Sequence, residues 1–269
     1  MPRRKHYRHR HAKLGSDSEP ISAGGSRFWI YGHHSVTNAL CNPRRRVHRL
    51  LAVDVLPEPL ARGHSAERID ASRLSSLLPA GAVHQGLAVL VDPLAQPTLD
   101  ELLEDLPAEA PARLLVLDHI TDPQNVGAIL RSAAAFGAAA VILTERNAAP
   151  ESGALAKAAS GALDVVPIVR VVNLARAMES LKRAGFWCLG LAGEAASTLA
   201  DSNPGRRVAL ILGAEGAGLR RLTRERCDHL VRLPTGGAID QLNVSNAAAV
   251  ALYELVRGGH PPPPRQTAE

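Results

Sequence analysis

Residues 208–247 read VALILGAEGAGLRRLTRERCDHLVRLPTGGAIDQLNVSNA. The aliphatic run Val208 to Leu212 has the length and composition of a buried strand, and Gly213 ends it. A glycine-rich turn follows, Gly213 to Gly218, with one carboxylate inside it, Glu215. A second short apolar run, Leu230 to Leu233, stops at Pro234, and a second glycine loop leads into Leu242-Asn243-Val244-Ser245. Two strand ends, each followed by a loop of little side-chain bulk, are how an α/β protein builds a ligand pocket.

Upstream, further aliphatic runs alternate with helical patterns: Leu114 to Asp118, Ala140 to Thr144, Val165 to Val169 and Phe186 to Leu191. Such alternation predicts a mainly parallel sheet. Downstream, Leu242 to Arg257 carries apolar residues at 244, 247, 248, 251, 252 and 255, the stripe of a long amphipathic helix. A smaller α/β unit precedes all this. It has strands at Phe28 to Tyr31, Val47 to Val55 and Leu87 to Val91, and helices through Val36 to Leu40 and Ala66 to Leu78. Between the units, prolines 93, 97, 107 and 111 flank an acidic helix-like piece, LDELLEDL, which reads as a linker. The expected division is a basic flexible tail 1–25, a small unit 26–92, a linker 93–112, a second unit 113–258 and a free tail 259–269.

Of the 269 residues 46% are hydrophobic and only 3% aromatic, so the core is aliphatic, as suits parallel-sheet packing. No apolar run is long enough to span a membrane, and no apolar segment follows the basic N-terminus as a secretory signal requires. The three cysteines, Cys41, Cys188 and Cys227, are odd in number and lack metal-ligand spacing, which points to reduced thiols in a cytoplasmic protein and to no metal site. Six of the 31 Lys/Arg lie in residues 1–13 with no acid among them, so the net charge of +5 is mostly a tail. A block of this kind suits contact with a polyanion such as RNA; a merely solubilising tail is the alternative.

Asp122-Pro123 is a helix start, with aspartate as cap and proline at the first helical position. Asn125 then falls in the first turn, Gly127, Ala128 and Ala133 to Ala135 make the helix slim, and Arg131 is a charge within it. A solvated helix face accounts for Arg131 equally well. The G-x-x-G-x-G spacing of Gly213 to Gly218 is not the dinucleotide fingerprint, and there is no Gly-Lys-Ser/Thr. Glu215 at the loop centre would repel a phosphate; it suits a hydroxyl donor, an arginine or a cationic ligand. Asn243 and Ser245 sit at a helix start, where capping alone would explain them.

Taken together and in this order, Asn-x-Gly-x-x-x-Arg after a strand, L-G-x-E-G-x-G-L, and L-P followed by L-N-V-S before a terminal helix resemble the SpoU/TrmH family of RNA ribose 2′-O-methyltransferases. The resemblance covers about residues 114–257, is strongest to the RlmB branch, and extends to a substrate-binding unit ahead of the catalytic one. It implies a parallel α/β sheet tied in a deep trefoil knot, a topology that composition cannot show. It implies S-adenosyl-methionine bound at Leu212, Gly213, Gly218, Leu233 and Leu242, and catalytic roles for Asn125, Arg131, Glu215 and Asn243. It implies a homodimer acting on RNA, most closely a guanosine ribose of large-subunit ribosomal RNA. A transfer-RNA substrate, and a non-catalytic RNA-binding or ribosome-assembly factor of the same fold, are the alternatives. One departure stands out: where the family commonly has serine before L-N-V-S, this chain has Gln241.

Overall fold

The computed structural model describes residues 27–56, 60, 63–238 and 241–257. The expectations for the tails 1–25 and 259–269 lie outside the described residues. The first of two sheets holds β1 (Phe28–Tyr31), β2 (Val47–Ala52), β3 (Glu67–Arg68) and β4 (Leu87–Val91), in the order β1-β4-β2-β3, accompanied by α1 (His33–Cys41) and α2 (Ala71–Leu77). Its central strand β4 runs antiparallel to both β1 and β2.

After α3 (Leu99–Asp105) the second sheet begins. It comprises β5 (Ala112–Asp118), β6 (Ala140–Thr144), β7 (Ile168–Val171), β8 (Trp187–Leu191), β9 (Ser197–Thr198), β10 (Arg207–Gly213) and β11 (His229–Arg232). The order is β7-β6-β5-β10-β8-β11-β9, and every pairing is parallel. Its helices are α4 (Pro123–Ala135), α5 (Gly153–Ala159), α6 (Leu174–Arg183), α7 (Arg221–Glu225) and α8 (Val244–Arg257). All seven residues of β5 are buried, the mark of a strand covered on both faces. Leu115, Leu117, Leu210 and Leu212 pack in one core with α4, α5 and α8, whereas Leu114, Val116, Ala209 and Ile211 pack in another with α3 and α6. The period-2 alternation of the strands thus makes three layers out of a nearly uniform aliphatic sequence.

Three elements depart from the sequence-based expectation, the first being the strand expected at Val47 to Val55, which ends at Ala52. Ala66 to Leu78 is not one helix: Glu67–Arg68 pair with β2, and the Ile69 N–H donates to the Ala52 carbonyl before α2 starts at Ala71. The strand expected at Val165 to Val169 is shifted to Ile168–Val171. Val165 and Val166 close a 3-10 turn by donating to the Ala162 carbonyl, and Pro167 has no N–H to give to a ladder. Residues 93–112, read as a linker, hold α3. It starts with a Thr98–Glu101 capping box, buries Leu102, and is followed by carbonyls of Pro107 and Ala108 that accept hydrogen bonds from Arg207.

The two sheets share one core, which includes Ile30, Val36 and Val89 from the first and Leu155, Ala159 and Leu163 from the second. Glycines permit the close approach. A Cβ on Gly153 would lie 2.4 Å from the Trp29 carbonyl oxygen, and one on Gly161 would lie 2.3 Å from Asn38 Nδ2. Arg45 crosses the same boundary to Asp164 at 2.8 Å, with both side chains almost wholly buried. A buried pair of this kind fixes geometry more than it adds stability, because desolvating both ions offsets their attraction.

Candidate active site

The chain runs outward from β5 through β6 and β7, then crosses to β8, and β10 later enters between β8 and β5. This reversal makes the carboxyl ends of β5 and β10 a topological switch point, where open α/β sheets bind ligands. Asp118 and Gly213, the last residues of these strands, are register partners.

Three loops meet beside this point. Asn125 sits in the first turn of α4, which Asp122 caps by accepting from the Gln124 N–H at 3.0 Å and Pro123 opens. Glu215 projects from the turn after β10, where Ala214 and Gly218 form a bridge that folds the backbone onto Gly213. Asn243 precedes α8. Asn125 Nδ2 donates to Glu215 Oε1 at 3.2 Å, and Asn243 Nδ2 donates both to that oxygen, at 2.5 Å, and to Asn125 Oδ1, at 3.0 Å. The result is a closed polar triangle with Asn125 buried and with Glu215 and Asn243 open to solvent.

Asn243 has a second task. Its Oδ1 accepts from the Ser245 N–H at 2.9 Å, the Ser245 hydroxyl at 2.6 Å and the Asn246 N–H at 3.4 Å, which caps α8. Capping and site geometry are therefore not rival explanations of this residue: one amide uses its oxygen for the helix and its nitrogen for the triangle.

Gly213 is required by close approach, since a Cβ there would lie 2.1 Å from the Gly218 carbonyl carbon. Gly216, Gly218 and Gly236 are the opposite case, with nothing within 4 Å of an added Cβ, so the two loops border open space. Leu242 is 44% exposed, Leu233 is partly buried, and the Leu212 side chain is buried in the core, so Leu212 can reach a ligand only through its backbone.

Arg131 is not part of the triangle. It is exposed and, among the described residues, makes no hydrogen bond or ion pair. Six helical residues after Asn125, it lies about 240° around α4 from it. Gly127 of the same helix has a local purpose: a Cβ on it would lie 2.5 Å from Ala158 Cβ, so α5 occupies that face. Gln241 is exposed and makes no side-chain hydrogen bond among the described residues.

A feature the sequence reading missed is Asp118, fully buried, whose two oxygens accept from the Arg220 backbone N–H at 3.1 Å and from its Nε at 2.6 Å. The available signal was a carboxylate closing an otherwise aliphatic strand. Burial pushes the thiols of Cys188 and Cys227 up to about 12, so both are protonated at neutral pH and neither is a nucleophile. Among the described residues no cluster of three His, Cys, Asp or Glu side chains is placed to hold a metal ion, and no helix is long and apolar enough to cross a membrane.

An all-parallel sheet with three polar side chains gathered beside its switch point defines an α/β protein with a small-ligand site at the carboxyl edge of the sheet. Residues 112–253 match the SpoU rRNA methylase family. The 23S rRNA (guanosine-2′-O-)-methyltransferase RlmB of Vibrio cholerae is 41% identical over 237 residues, covering 85% of this chain and 96% of that protein. The enzyme of the same name from Pseudomonas syringae pv. tomato is 42% identical over 238 residues, covering 85% and 94%. The crystal structure of the SpoU methyltransferase AviRb from Streptomyces viridochromogenes with the cofactor AdoMet superposes with a TM-score of 0.72 at 27% identity, covering 86% of this chain and 89% of that one. The chain belongs to the SpoU rRNA methylase family, and is a methyltransferase that uses S-adenosyl-methionine.

The residues present fit that cofactor. The loops after β10 and β11 offer open space at Gly216, Gly218 and Gly236, an exposed Leu242, and backbone groups, with a carboxylate and no phosphate cradle. A sulfonium without phosphate suits such a lining.

Proposed function

We propose that this protein transfers a methyl group to the ribose 2′-oxygen of a guanosine in 23S ribosomal RNA, as a cytoplasmic homodimer. The observation that carries the reading is the Asn125–Glu215–Asn243 triangle at the β5/β10 switch point. The named activity of relatives about 40% identical over most of the chain supports the substrate.

The backbone at Gly213, Leu233 and Leu242, with Leu212 and Gly218 beside it, would hold S-adenosyl-methionine in a knotted loop region, and the bound cofactor supplies an electrophilic methyl group. Glu215 Oε1 is committed to two amide donors, which holds the other oxygen in a fixed place to accept from a ribose hydroxyl. A 2′-hydroxyl is a weak nucleophile near neutral pH, so its proton must be drawn off or its developing charge stabilised as the new O–C bond forms. Arginine stays protonated, so Arg131 serves best as an electrostatic stabiliser of that charge or of the adjoining phosphate.

Arg131 stands apart from the triangle of its own chain, which favours delivery from a second copy. The partly exposed apolar face of α8, Val250 at 46% and Tyr253 at 53%, with Tyr253 edge-on to Phe136, supports a dimer contact at this layer. The first sheet and the basic N-terminal segment would bind RNA beyond the reacting nucleotide.

Methyl transfer from labelled cofactor to ribosomal RNA that lacks the modification, followed by mapping of the ribose, tests the proposal. One labelled guanosine is expected; labelling of transfer RNA alone would refute the substrate, and no cofactor binding at millimolar concentration would refute the enzyme. Arg131→Ala should abolish transfer and spare cofactor binding. Mixed dimers of Arg131→Ala with an Asn243 variant should regain activity if the arginine acts across the interface.

A further inference from the structure

Along the same carboxyl edge, on the α6 side, the ends of β5, β6 and β7 frame a cavity of about 550 Å³. Its lining includes Arg146, Arg220 and Arg221 with His119, and it contains no carboxylate. Arg146 follows β6 on a turn held by the Thr144 hydroxyl, which donates to the Arg146 carbonyl at 2.6 Å. Arg220 is anchored through its backbone N–H and Nε to buried Asp118. Arg221 pairs with Glu225 at 2.6 Å, but both side chains are largely exposed, so this pair binds little and yields readily to a stronger anion. The rim carries two exposed apolar side chains, Val172 at 82% and Leu222 at 57%.

This lining suits neither a bare anion, which gains nothing from Val172 and Leu222, nor an apolar ligand, which three guanidinium groups would oppose. It suits a nucleotide, with its phosphate on arginine and its base against apolar side chains. The position is right for a strand that also reaches the triangle. Asp118, beneath Arg220, neighbours Gly213 in the sheet, and the single segment His119 to Asp122 separates the cavity from α4 and Asn125. A cavity of about 560 Å³ beside α3 has the opposite charge, with Glu101, Glu104, Asp105 and Glu151 against Arg44, and would repel a polyanion.

We propose that the Arg146–Arg220–Arg221 cavity is a second RNA subsite, which takes an unstacked nucleotide flanking the methylated one. The proposal rests on the RNA-methylation reading above. Its test uses the full chain with Arg146 and Arg221 both replaced by alanine; Arg220 is kept, because it satisfies buried Asp118. Affinity for a ribosomal RNA fragment is measured across a salt series, together with methylation kinetics. The log–log salt slope should become shallower by about 0.7 to 1.8, the value for one or two phosphate contacts. KM for RNA should rise about tenfold, while kcat at saturating RNA and affinity for S-adenosyl-methionine stay unchanged. The double Arg→Lys variant should restore the slope. An unchanged slope and KM would overturn the proposal. So would millimolar binding of inorganic phosphate, by calorimetry, as tight as that of the RNA fragment, since this marks a free-anion site. If the wild-type protein methylates no RNA, the functional reading fails first, and the binding slopes alone then decide the subsite.

Discussion

Asn243 offers the sharpest test, because its amide divides two jobs between two atoms. Its oxygen caps α8 and its nitrogen ties Asn125 to Glu215. Asn243→Ala removes both. Loss of an N-cap costs about 1 kcal/mol, which in a protein of this size lowers the melting temperature by roughly 2–4 °C. Asn243→Ser keeps an oxygen that caps nearly as well, so its melting temperature should stay within about 1 °C of wild type. Neither variant donates from the nitrogen. One bond to a neutral oxygen and one to an exposed carboxylate together contribute about 2 kcal/mol, which amounts to roughly a 30-fold loss in kcat/KM if both bonds position Glu215 for the transition state. Thermal melting and steady-state methyl transfer on the two variants check this. Full turnover by Asn243→Ser would refute the positioning role, and equal melting temperatures for the two variants would refute the capping role.

Gly127→Ala should destabilise by about 1–3 kcal/mol in spite of alanine's better helix propensity, because the new Cβ would lie 2.6 Å from the Leu155 carbonyl oxygen and 2.5 Å from Ala158 Cβ; denaturant unfolding reads this out, and a more stable variant would contradict the packing. Burial raises the pKa of Glu151 above the usual carboxylate range, and its Oε2 has no hydrogen-bond partner. A raised carboxyl pKa contributes stability that is full below the unfolded value and is lost as pH rises through the folded value. Glu151→Gln should therefore flatten the fall in melting temperature above about pH 4.5, and a parallel pH profile would refute this. Thiol labelling at pH 8 should modify Cys41 rapidly in the native protein and all three cysteines in denaturant, because Cys188 is buried, Cys227 is half-buried, and both thiols are pushed up to about 12 and stay protonated; rapid native labelling of either would sink that reading.

What the sequence by itself determined is the chemistry of its local segments. Aliphatic runs such as Val208–Leu212, bounded by glycine and alternating with helical patterns, have the length and composition of strands covered on both faces, and Asp122-Pro123 carries the cap and first-turn proline of a helix start. Two boundaries fell elsewhere: Pro167, with no N–H for a ladder, put the start of β7 at Ile168, three residues later than expected, and tertiary pairing with β2 drew Glu67–Arg68 out of a helix. Assembly of the site lay beyond local reading. Asn125 and Glu215 are 90 positions apart, and Asn125 and Asn243 are 118 apart. Nothing in either segment says that β10 returns to lie beside β5. That adjacency comes from the sheet order, a non-local packing choice, and it also buries Asp118 under Arg220. Residue type is written along the chain, but distance between residues is set only when distant strands compete for neighbours in one sheet.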